Sequence, residues 1–401
     1  MKFGLVPQIV LGVVVGAVLA MISPELAVSL GIFGQLFVAM LKAVAPMLVL
    51  VLVMSAVATQ RWDASDSGRI ALTLMLYLAG TIAAAGVAVL LSRLFPQTLA
   101  LAGVAEGAPP SAVGGVLRTV LFKLVDNPIN ALVTANFLGC LTWALLLGVG
   151  FRRASDSFKE GLRTISEAIT GIVRLVISLA PIGIFGLVAQ TVATVGIDAL
   201  ADYASLTGLL VSAMLVVALI VNPLLLAVFS GSNPYPIVLR CLQESGITAF
   251  FTRSSAANIP VNLALAQKLE IREELYSVTI PIGATVNMAG AAITVSTLSL
   301  AAATTLGVEV SLTQSFVLCV VSALAACGAS GVPSGSLLLV PLACSLFGIP
   351  IDAAMQVVAV GFIISVVQDS AETALNSSTD VVYSYAADRA RWVPFSSSRD
   401  S

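Results

Sequence analysis

The segment DSAETALNSSTD, residues 369–380, places acidic and amide side chains directly after an apolar run, VVAVGFIISVVQ of residues 357–368. In a helix these side chains lie on one face, at i, i+3, i+4, i+7 and i+11: Asp369, Glu372, Thr373, Asn376 and Asp380. Each ionised group at the centre of a membrane helix costs about 2.5 to 3.5 kcal/mol on insertion scales. Three acids in one such helix therefore indicate a binding site for a substrate cation and a metal ion, unless Asp380 merely marks a helix end that frays toward water.

The composition is that of a membrane protein. Of 401 residues, 58% are hydrophobic and 10% are charged, whereas a soluble domain carries roughly 25% charged residues. The chain is therefore predicted to be an all-α, polytopic protein embedded in a lipid bilayer. Its net charge of −2 argues against nucleic acid as a partner. The five cysteines occur singly and there is no histidine, so neither a disulfide framework nor an enzyme site is expected.

The hydropathy pattern predicts the number of membrane spans. A spanning helix needs about 20 apolar residues. Runs of that kind predict eight spans, at residues 4–22, 31–59, 69–95, 130–151, 164–195, 204–231, 276–306 and 352–380. The first run has no clear cleavage site and is interpreted as a retained helix, not a signal peptide. Residues 113–124 form a shorter, amphipathic segment.

Two further apolar segments are interrupted by small polar residues. Residues 235–268 break at FFTRSSAANIP, and residues 311–347 break at ACGASGVPSGS. Such a break cannot face lipid because its backbone groups would lack hydrogen-bond partners, so each segment is predicted to be a re-entrant hairpin. Basic residues such as Arg61 fall in alternate loops, which predicts that both termini are cytoplasmic. The hairpins then enter from opposite sides, a pattern typical of a transporter site near mid-membrane.

The segment GATVNMAGAAIT, residues 283–294, places Asn287 between glycines in an apolar span. The glycines could allow close helix packing, with Asn287 bonded to a neighbouring helix. They could equally permit local unwinding, which exposes carbonyl oxygens of the kind that Na+ prefers. The residues alone favour an ion-coupled transporter. A channel or a membrane receptor stays open, and counterflow of labelled substrate would separate these classes.

Four motifs in this order, TRSSAANIP, PIGATVNMAGAA, GASGVP and DSAETALNSSTD, resemble the dicarboxylate/amino acid:cation symporter family. They are most similar to its bacterial serine/threonine:sodium symporter branch, and the resemblance covers essentially the whole chain. It implies a homotrimer in the bacterial inner membrane, built from eight helices and two hairpins in inverted repeats. The implied scaffold is residues 1–58 and 113–195, the implied mobile transport domain is residues 69–95 and 204–380, and residues 381–401 are a cytoplasmic tail.

The resemblance also implies the site residues. Asp369 would bind the substrate ammonium, Asn376 its carboxylate, and Thr373 its amino end. The hairpin tips would close over the substrate through Ser254, Ser255, Gly331 and Val332. One Na+ site would be formed by Gly283, Asn287, Asn376 and Asp380. A second would be formed by Thr285, Met288, Ala326, Cys327 and Ala329.

Two departures from the family pattern bear on function. Glu372 stands where members that carry acidic substrates have an arginine, so aspartate and glutamate should be poor substrates. Arg253 could pair with Glu372 in the substrate site, or Glu372 could point into solvent. Ala289 replaces an aspartate and Gly80 replaces a hydroxyl, which implies that a third sodium site is missing. The prediction is sodium-coupled import of L-serine and L-threonine by an elevator motion; the alternatives are another small neutral substrate, such as alanine, or proton coupling.

Overall fold

The computed structural model describes residues 5–59, 67–101, 122–327 and 334–391. Every regular element within these ranges is a helix, which confirms the all-α fold. The first half of the chain forms α1 Leu5–Ile22, α2 Pro24–Leu30, α3 Ile32–Thr59, α4 Ser67–Leu94, α5 Pro128–Val133, α6 Phe137–Phe151, α7 Asp156–Ser178 and α8 Ala180–Val195. The loop residue Arg61 and most of the amphipathic segment 113–124 lie outside the described residues.

The second half of the chain contains the two segments predicted to be hairpins and the longest helix. Its helices are α9 Asp198–Val216, α10 Asn222–Ser230, α11 Tyr235–Cys241, α12 Ile247–Thr252, α13 Ser255–Lys268, α14 Glu273–Val286, α15 Ala289–Thr305, α16 Leu312–Ala326, α17 Val340–Ser345 and α18 Ile351–Asp388. Two π-helical segments, Val217–Val221 and Leu242–Gly246, and one 3-10 segment, Gly335–Leu339, connect consecutive helices.

Several of these elements are long and apolar enough to cross a bilayer. Five continuous helical stretches within the described residues qualify by length and hydropathy, and a sixth forms if α7 and α8, bent by 47° at their junction, are counted together. The shorter apolar helices α1 and α6 correspond to the remaining two predicted spans. The chain is therefore a polytopic membrane protein.

The first hairpin breaks where the sequence predicts it. Helix α12 ends at Thr252, Arg253 has a φ of 52°, and α13 begins at Ser255. The hydroxyl of Ser254 accepts a hydrogen bond from the Ala257 amide at 3.2 Å and so caps α13. The reversal of the chain therefore rests on one left-handed residue followed by a helix cap.

The second predicted hairpin is described on both sides of residues 328–333. A capping box formed by Ser311 and Gln314 starts α16, which ends at Ala326. The chain is described again from Ser334, whose φ of 55° is also left-handed, and continues into the 3-10 segment and α17. Ala329, Gly331 and Val332, which belong to the predicted sites, lie outside the described residues.

The helices pack in two groups. Helices α1, α2, α6, α7 and α8 pack on one another or on α3. Helix α4 packs on α15, α16 and α18, and both hairpins lie against α18 or its neighbours. Two contacts between the groups are specific. The rings of Phe37 and Phe362 pack edge to face with their centroids 5.2 Å apart, and Lys42 Nζ forms an ion pair with Asp352 Oδ1 at 2.5 Å.

Helix α18 extends further than the sequence analysis predicts. The predicted span ends at residue 380, but the helix continues to Asp388, and Val381, Val382 and Tyr383 are buried. Arg69 donates to the backbone oxygen of Ala387 at 2.8 Å and so satisfies a carbonyl at the helix end. The interpretation of Asp380 as a fraying helix end is therefore wrong.

Candidate functional site

The polar stripe of α18 is buried in the middle of the helix. The exposed fraction is 4% for Asp369, 6% for Glu372 and Thr373, 3% for Asn376 and 1% for Asp380. Arg253, Ser334 and the interruption between α14 and α15 lie against this stripe. The residues that the spacing places on one helix face are thus gathered into one buried polar site.

Asp369 joins Arg253 of the first predicted hairpin to Ser334 of the second. Arg253 of the first hairpin donates through Nε to Asp369 Oδ2 at 2.7 Å, and its Nη2 lies 2.6 Å from the same oxygen. The backbone N–H of Ser334, in the second hairpin, donates to Asp369 Oδ1 at 3.0 Å. Arg253 Nη2 also donates to Ser334 Oγ at 3.3 Å. Arg253 and Ser334 are both left-handed, a conformation that costs non-glycine residues about 1 to 3 kcal/mol. The ion pair and the amide bond therefore hold these two residues in an unfavourable backbone conformation.

Glu372 has neither of the two environments considered from the sequence. The prediction that Glu372 pairs with Arg253 is wrong, because Arg253 forms its ion pair with Asp369. It does not point into solvent either: its Oε2 accepts hydrogen bonds from Thr294 Oγ1 and Ser336 Oγ, both at 2.8 Å, and from Gln368 Nε2. Two hydroxyl donors from other elements and one amide donor from α18 itself therefore replace the guanidinium that the sequence analysis considered.

Three of these partners, Thr294, Ser336 and Gln368, were missed in the sequence analysis. Gln368 precedes Glu372 by four residues and so shares its helix face, which the spacing could have indicated. Thr294 and Ser336 reach Glu372 only through tertiary packing. Gly290 permits that packing, because a Cβ on it would lie 2.8 Å from the Glu372 backbone oxygen.

The break at Asn287 and Met288 combines both alternatives considered for this segment. Helix α14 ends at Val286 and α15 begins at Ala289, so the chain is unwound between them. Asn287 Nδ2 also bonds a neighbouring helix, donating to Asp380 Oδ1 at 2.9 Å and to the Asn376 backbone oxygen at 3.3 Å.

A cation would complete the surroundings of Asp380. Asp380 Oδ2 and Asn287 Oδ1 are buried and have no hydrogen-bond partner among the described residues. A Cβ on Gly283 would lie 2.6 Å from Asp380 Oδ1, so the carboxylate fits only beside a glycine. Within the described ranges no three acid, cysteine or histidine side chains form a metal-binding group. An ion here would therefore be held by one carboxylate together with amide and carbonyl oxygens, which is the ligand chemistry of a hard cation.

The remaining predicted residues lie around this centre. Thr373 Oγ1 donates to the Asp369 backbone oxygen at 2.7 Å, and Asn376 Oδ1 accepts from the Gly290 amide at 2.7 Å. Asn376 Nδ2 lies 3.4 Å from Met288 Sδ. Cys327 Sγ lies 3.4 Å from the Val286 oxygen, which brings the end of α16, including buried Ala326, to the α14–α15 break. The Thr285 hydroxyl donates to the Ile282 oxygen.

Tyrosine hydroxyls fill the space between α4 and α18. The Tyr383 hydroxyl occupies the position that a side chain on Gly80 would need. It donates to Asn222 Oδ1 at 2.8 Å, and Asn222 Nδ2 donates to Thr379 Oγ1 at 3.0 Å. The Tyr77 hydroxyl lies 3.2 Å from the Asp380 backbone oxygen. This region beside Asp380 is thus occupied by neutral groups.

The comparison with known proteins agrees with this arrangement. A family model described as the sodium:dicarboxylate symporter family matches residues 5–390. The match includes α1 to α18 and therefore the stripe of α18, both hairpins and the break at Asn287. On that evidence the chain belongs to the sodium:dicarboxylate symporter family.

Proposed function

We propose that this sodium-coupled symporter imports L-serine and L-threonine. The observation that carries the substrate class is the pair of buried carboxylates Asp369 and Glu372, three residues apart on one helix face. The ammonium group of a zwitterion can bind Asp369. A second carboxylate on the substrate would meet two acids, while the guanidinium of Arg253 is engaged by Asp369. A small neutral amino acid matches these charges, and aspartate does not.

The substrate backbone would be bound between α18 and the hairpin tips. Its ammonium would take the place of Arg253 on Asp369, with Thr373 beside it. Its carboxylate would lie near Asn376 and the amide groups at the start of α13, around Ser254 and Ser255, because a helix N-terminus favours an anion. The tip residues Gly331 and Val332 are assigned to the same closure by resemblance to the family.

The first co-transported Na+ would lie between Asp380 and the α14–α15 break. Asp380 supplies the charge, and two unpartnered oxygens, Asp380 Oδ2 and Asn287 Oδ1, are available as ligands. Backbone oxygens of Gly283, Asn287 and Asn376 complete the proposed set. A buried carboxylate oxygen without a partner is costly, so a bound cation would stabilise this region.

A second Na+ would lie where α16 meets the same break. Its proposed ligands are Thr285, Met288, Ala326, Cys327 and Ala329, chiefly through backbone oxygens. The contact of Cys327 with the Val286 oxygen supports the proximity of these segments. Since these ligands are neutral, the ion would depend on shielding by the closed second hairpin.

Transport would proceed by an elevator motion. The group built on α1, α3, α6, α7 and α8 would be the static scaffold, and the group around α18 would move across the membrane with the site. The packing supports this division, because α1, α2, α6, α7 and α8 pack on one another or on α3, whereas α4 packs on α15, α16 and α18. A homotrimer in the bacterial inner membrane, with both termini in the cytoplasm, completes the proposal.

The test is uptake of a panel of labelled amino acids into proteoliposomes, with and without an inward Na+ gradient. Serine and threonine uptake should require Na+, and aspartate should neither be taken up nor compete. Uptake that follows a pH gradient without Na+ would contradict sodium coupling. Efficient aspartate uptake would contradict the substrate class, and alanine as the preferred substrate would narrow the proposal to the second candidate.

A further inference from the structure

Lys42 and Asp352 form an ion pair between the two groups of helices. Lys42 Nζ lies 2.5 Å from Asp352 Oδ1. Lys42 belongs to α3, in the group proposed as the scaffold, and Asp352 belongs to the first turn of α18, in the group proposed to move. The pair therefore connects the two bodies whose relative position would change during transport.

Two other ion pairs each lie within one group. Arg163 and Glu167 are one turn apart on α7, and Arg253 joins the first hairpin to Asp369 of α18, which belong to the same group. These pairs can stay formed whichever position the two groups take relative to each other. The pair between the groups cannot.

A cavity of about 430 Å³ lies beside this pair, between the two groups. Its polar lining includes Lys42 and Asp352, Gln35 and Gln190 of the scaffold group, and Gln356 of α18. Gln356 Oε1 is buried and has no hydrogen-bond partner among the described residues. Protein interiors are normally close-packed, so the cavity leaves the two groups fewer atoms in contact at this place. The ion pair therefore has a large share in holding them together here.

The ring contact between the groups is of a different kind. The centroids of Phe37 and Phe362 lie 5.2 Å apart, and the hydrophobic attraction between such groups is not directional. An ion pair requires its nitrogen and oxygen to stay within about 4 Å of each other. When α18 moves along α3, the rings can exchange each other for other apolar neighbours, whereas Lys42 and Asp352 have to separate.

We propose that the Lys42–Asp352 ion pair is a latch, which holds the transport group in the position seen here and opens each time the group crosses the membrane. The inference rests on the proposed function, because it uses the elevator motion. In such a carrier the apparent affinity on each side is reduced by the fraction of molecules that face that side. Weakening the latch should therefore raise the apparent affinity for serine on one side of the membrane and lower it on the other.

The first experiment breaks the latch and rebuilds it. The half-saturating serine concentration for Na+-driven uptake is measured from each side, with right-side-out and inside-out vesicles, for Lys42→Met, Asp352→Asn and the double variant. The two side chains are 39% and 81% exposed, and an exposed ion pair contributes a factor of about two to five to an equilibrium. Each single variant should gain affinity by up to about that factor on the side that the latched position does not face, and lose affinity on the other.

The combined variants show whether the pair itself is responsible. The double variant should have no larger effect than either single variant, and the charge-swapped variant Lys42→Asp/Asp352→Lys should return toward the wild type. Arg163→Gln is the control, because it breaks an exposed ion pair inside the scaffold group and should change neither affinity. Unchanged affinities on both sides in the single variants, or changes in the same direction on both sides, would overturn the latch.

The second experiment closes the latch with a metal ion. The chain contains no histidine, and two facing imidazoles bind zinc ions. In Lys42→His/Asp352→His, micromolar zinc should stop both net uptake and exchange of serine, and a chelator should restore them. It should also raise the melting temperature of this variant, a result that requires no substrate. The wild type and the two single-histidine variants are the controls and should not respond.

The outcomes separate the two proposals. If zinc left transport by the double-histidine variant unchanged, the two residues would not meet during transport and the latch would be overturned, while sodium-dependent serine uptake would leave the proposed function intact. No sodium-dependent uptake of any small neutral amino acid by the wild type would overturn the proposed function, and the latch with it.

Discussion

The guanidinium of Arg253, at the tip of the first hairpin, lies 2.6 Å from the carboxylate of Asp369, in the middle of α18. Both side chains are largely buried, at 11% and 5% exposure. A buried carboxylate without a partner is strongly destabilising, so the pair neutralises Asp369 when no substrate is bound. A substrate ammonium at Asp369 would have to displace this internal cation.

Asp369→Asn should abolish serine uptake and leave the protein folded. The asparagine keeps the size of the side chain but loses the charge that binds the ammonium in a buried site. Uptake is measured in proteoliposomes after the folded state has been checked by size-exclusion chromatography. Asp202→Asn, at an exposed acid on α9, is the control and should transport normally. Substantial serine uptake by Asp369→Asn would remove Asp369 from the substrate site.

Arg253→Gln should slow net uptake more than exchange. Net uptake requires the empty carrier to return across the membrane, and without Arg253 it would return with an unpaired buried carboxylate. Exchange of labelled for unlabelled serine does not include that step. We expect net uptake to fall about tenfold or more and exchange to fall less.

Arg240→Gln is the matched control on the same hairpin. Arg240 forms a partly exposed ion pair with Glu244, a kind of contact that contributes only about 0 to 1 kcal/mol. Both transport modes should be retained in that variant. If Arg253→Gln lowered net uptake and exchange equally, Arg253 would have no special role in the return step.

Asp380→Asn should weaken sodium binding. The variant removes the formal charge of the proposed first Na+ site, so the Na+ concentration for half-maximal uptake should rise about tenfold or more. Ligand binding raises the melting temperature by mass action, so Na+ should stabilise the wild type in a thermal-shift assay and stabilise this variant less. An unchanged Na+-dependent shift, measured against choline at equal ionic strength, would place sodium elsewhere.

Sequence patterns predict most of the fold because bilayer physics leaves few alternatives. Long apolar runs have to be helices, and Ser/Gly/Pro breaks within them have to be covered by protein. The predicted break within FFTRSSAANIP is confirmed, and it lies at Arg253 and Ser254. The predicted end of α18 is wrong, because residues 381–388 contain polar side chains that tertiary contacts bury.

Most hydrogen-bond partners within the site could not be predicted. The spacing of Asp369, Glu372 and Asp380 shows that they share a helix face, but not which donors face them. Whether Arg253 binds Asp369 or Glu372 depends on the left-handed turn at the hairpin tip, which no local pattern specifies. The hydroxyls of Thr294 and Ser336 meet Glu372 through contacts distant in sequence, so only the folded chain identifies them.

Gly80→Ala should destabilise the protein because the Tyr383 hydroxyl and ring occupy the space of the added methyl group. Overpacking of this kind costs about 1 to 3 kcal/mol. Gly86→Ala on the same helix is the control, since a Cβ there meets nothing within 4 Å, and it should leave stability unchanged or raise it. Thermal unfolding in detergent gives the comparison. Equal melting temperatures for the two variants would show that α4 and α18 are further apart than this packing requires.

The number of co-transported sodium ions should be one or two per substrate. Asp380 can balance one Na+, and the proposed second site offers only neutral oxygens. A third ion would need a further acid, but Ala289 is apolar and buried, and the space beside Gly80 is taken by the Tyr383 hydroxyl. Each charge moved through the membrane couples to the voltage at about 2.3 kcal/mol per 100 mV, so every ion fewer lowers the attainable concentration of substrate.

The measurement sets a serine gradient against Na+ and voltage gradients in proteoliposomes and finds the potential at which net flux stops. A ratio of three Na+ ions per serine would show that a further cation site exists. A reversal potential that follows the pH gradient instead of the Na+ gradient would show that protons drive transport.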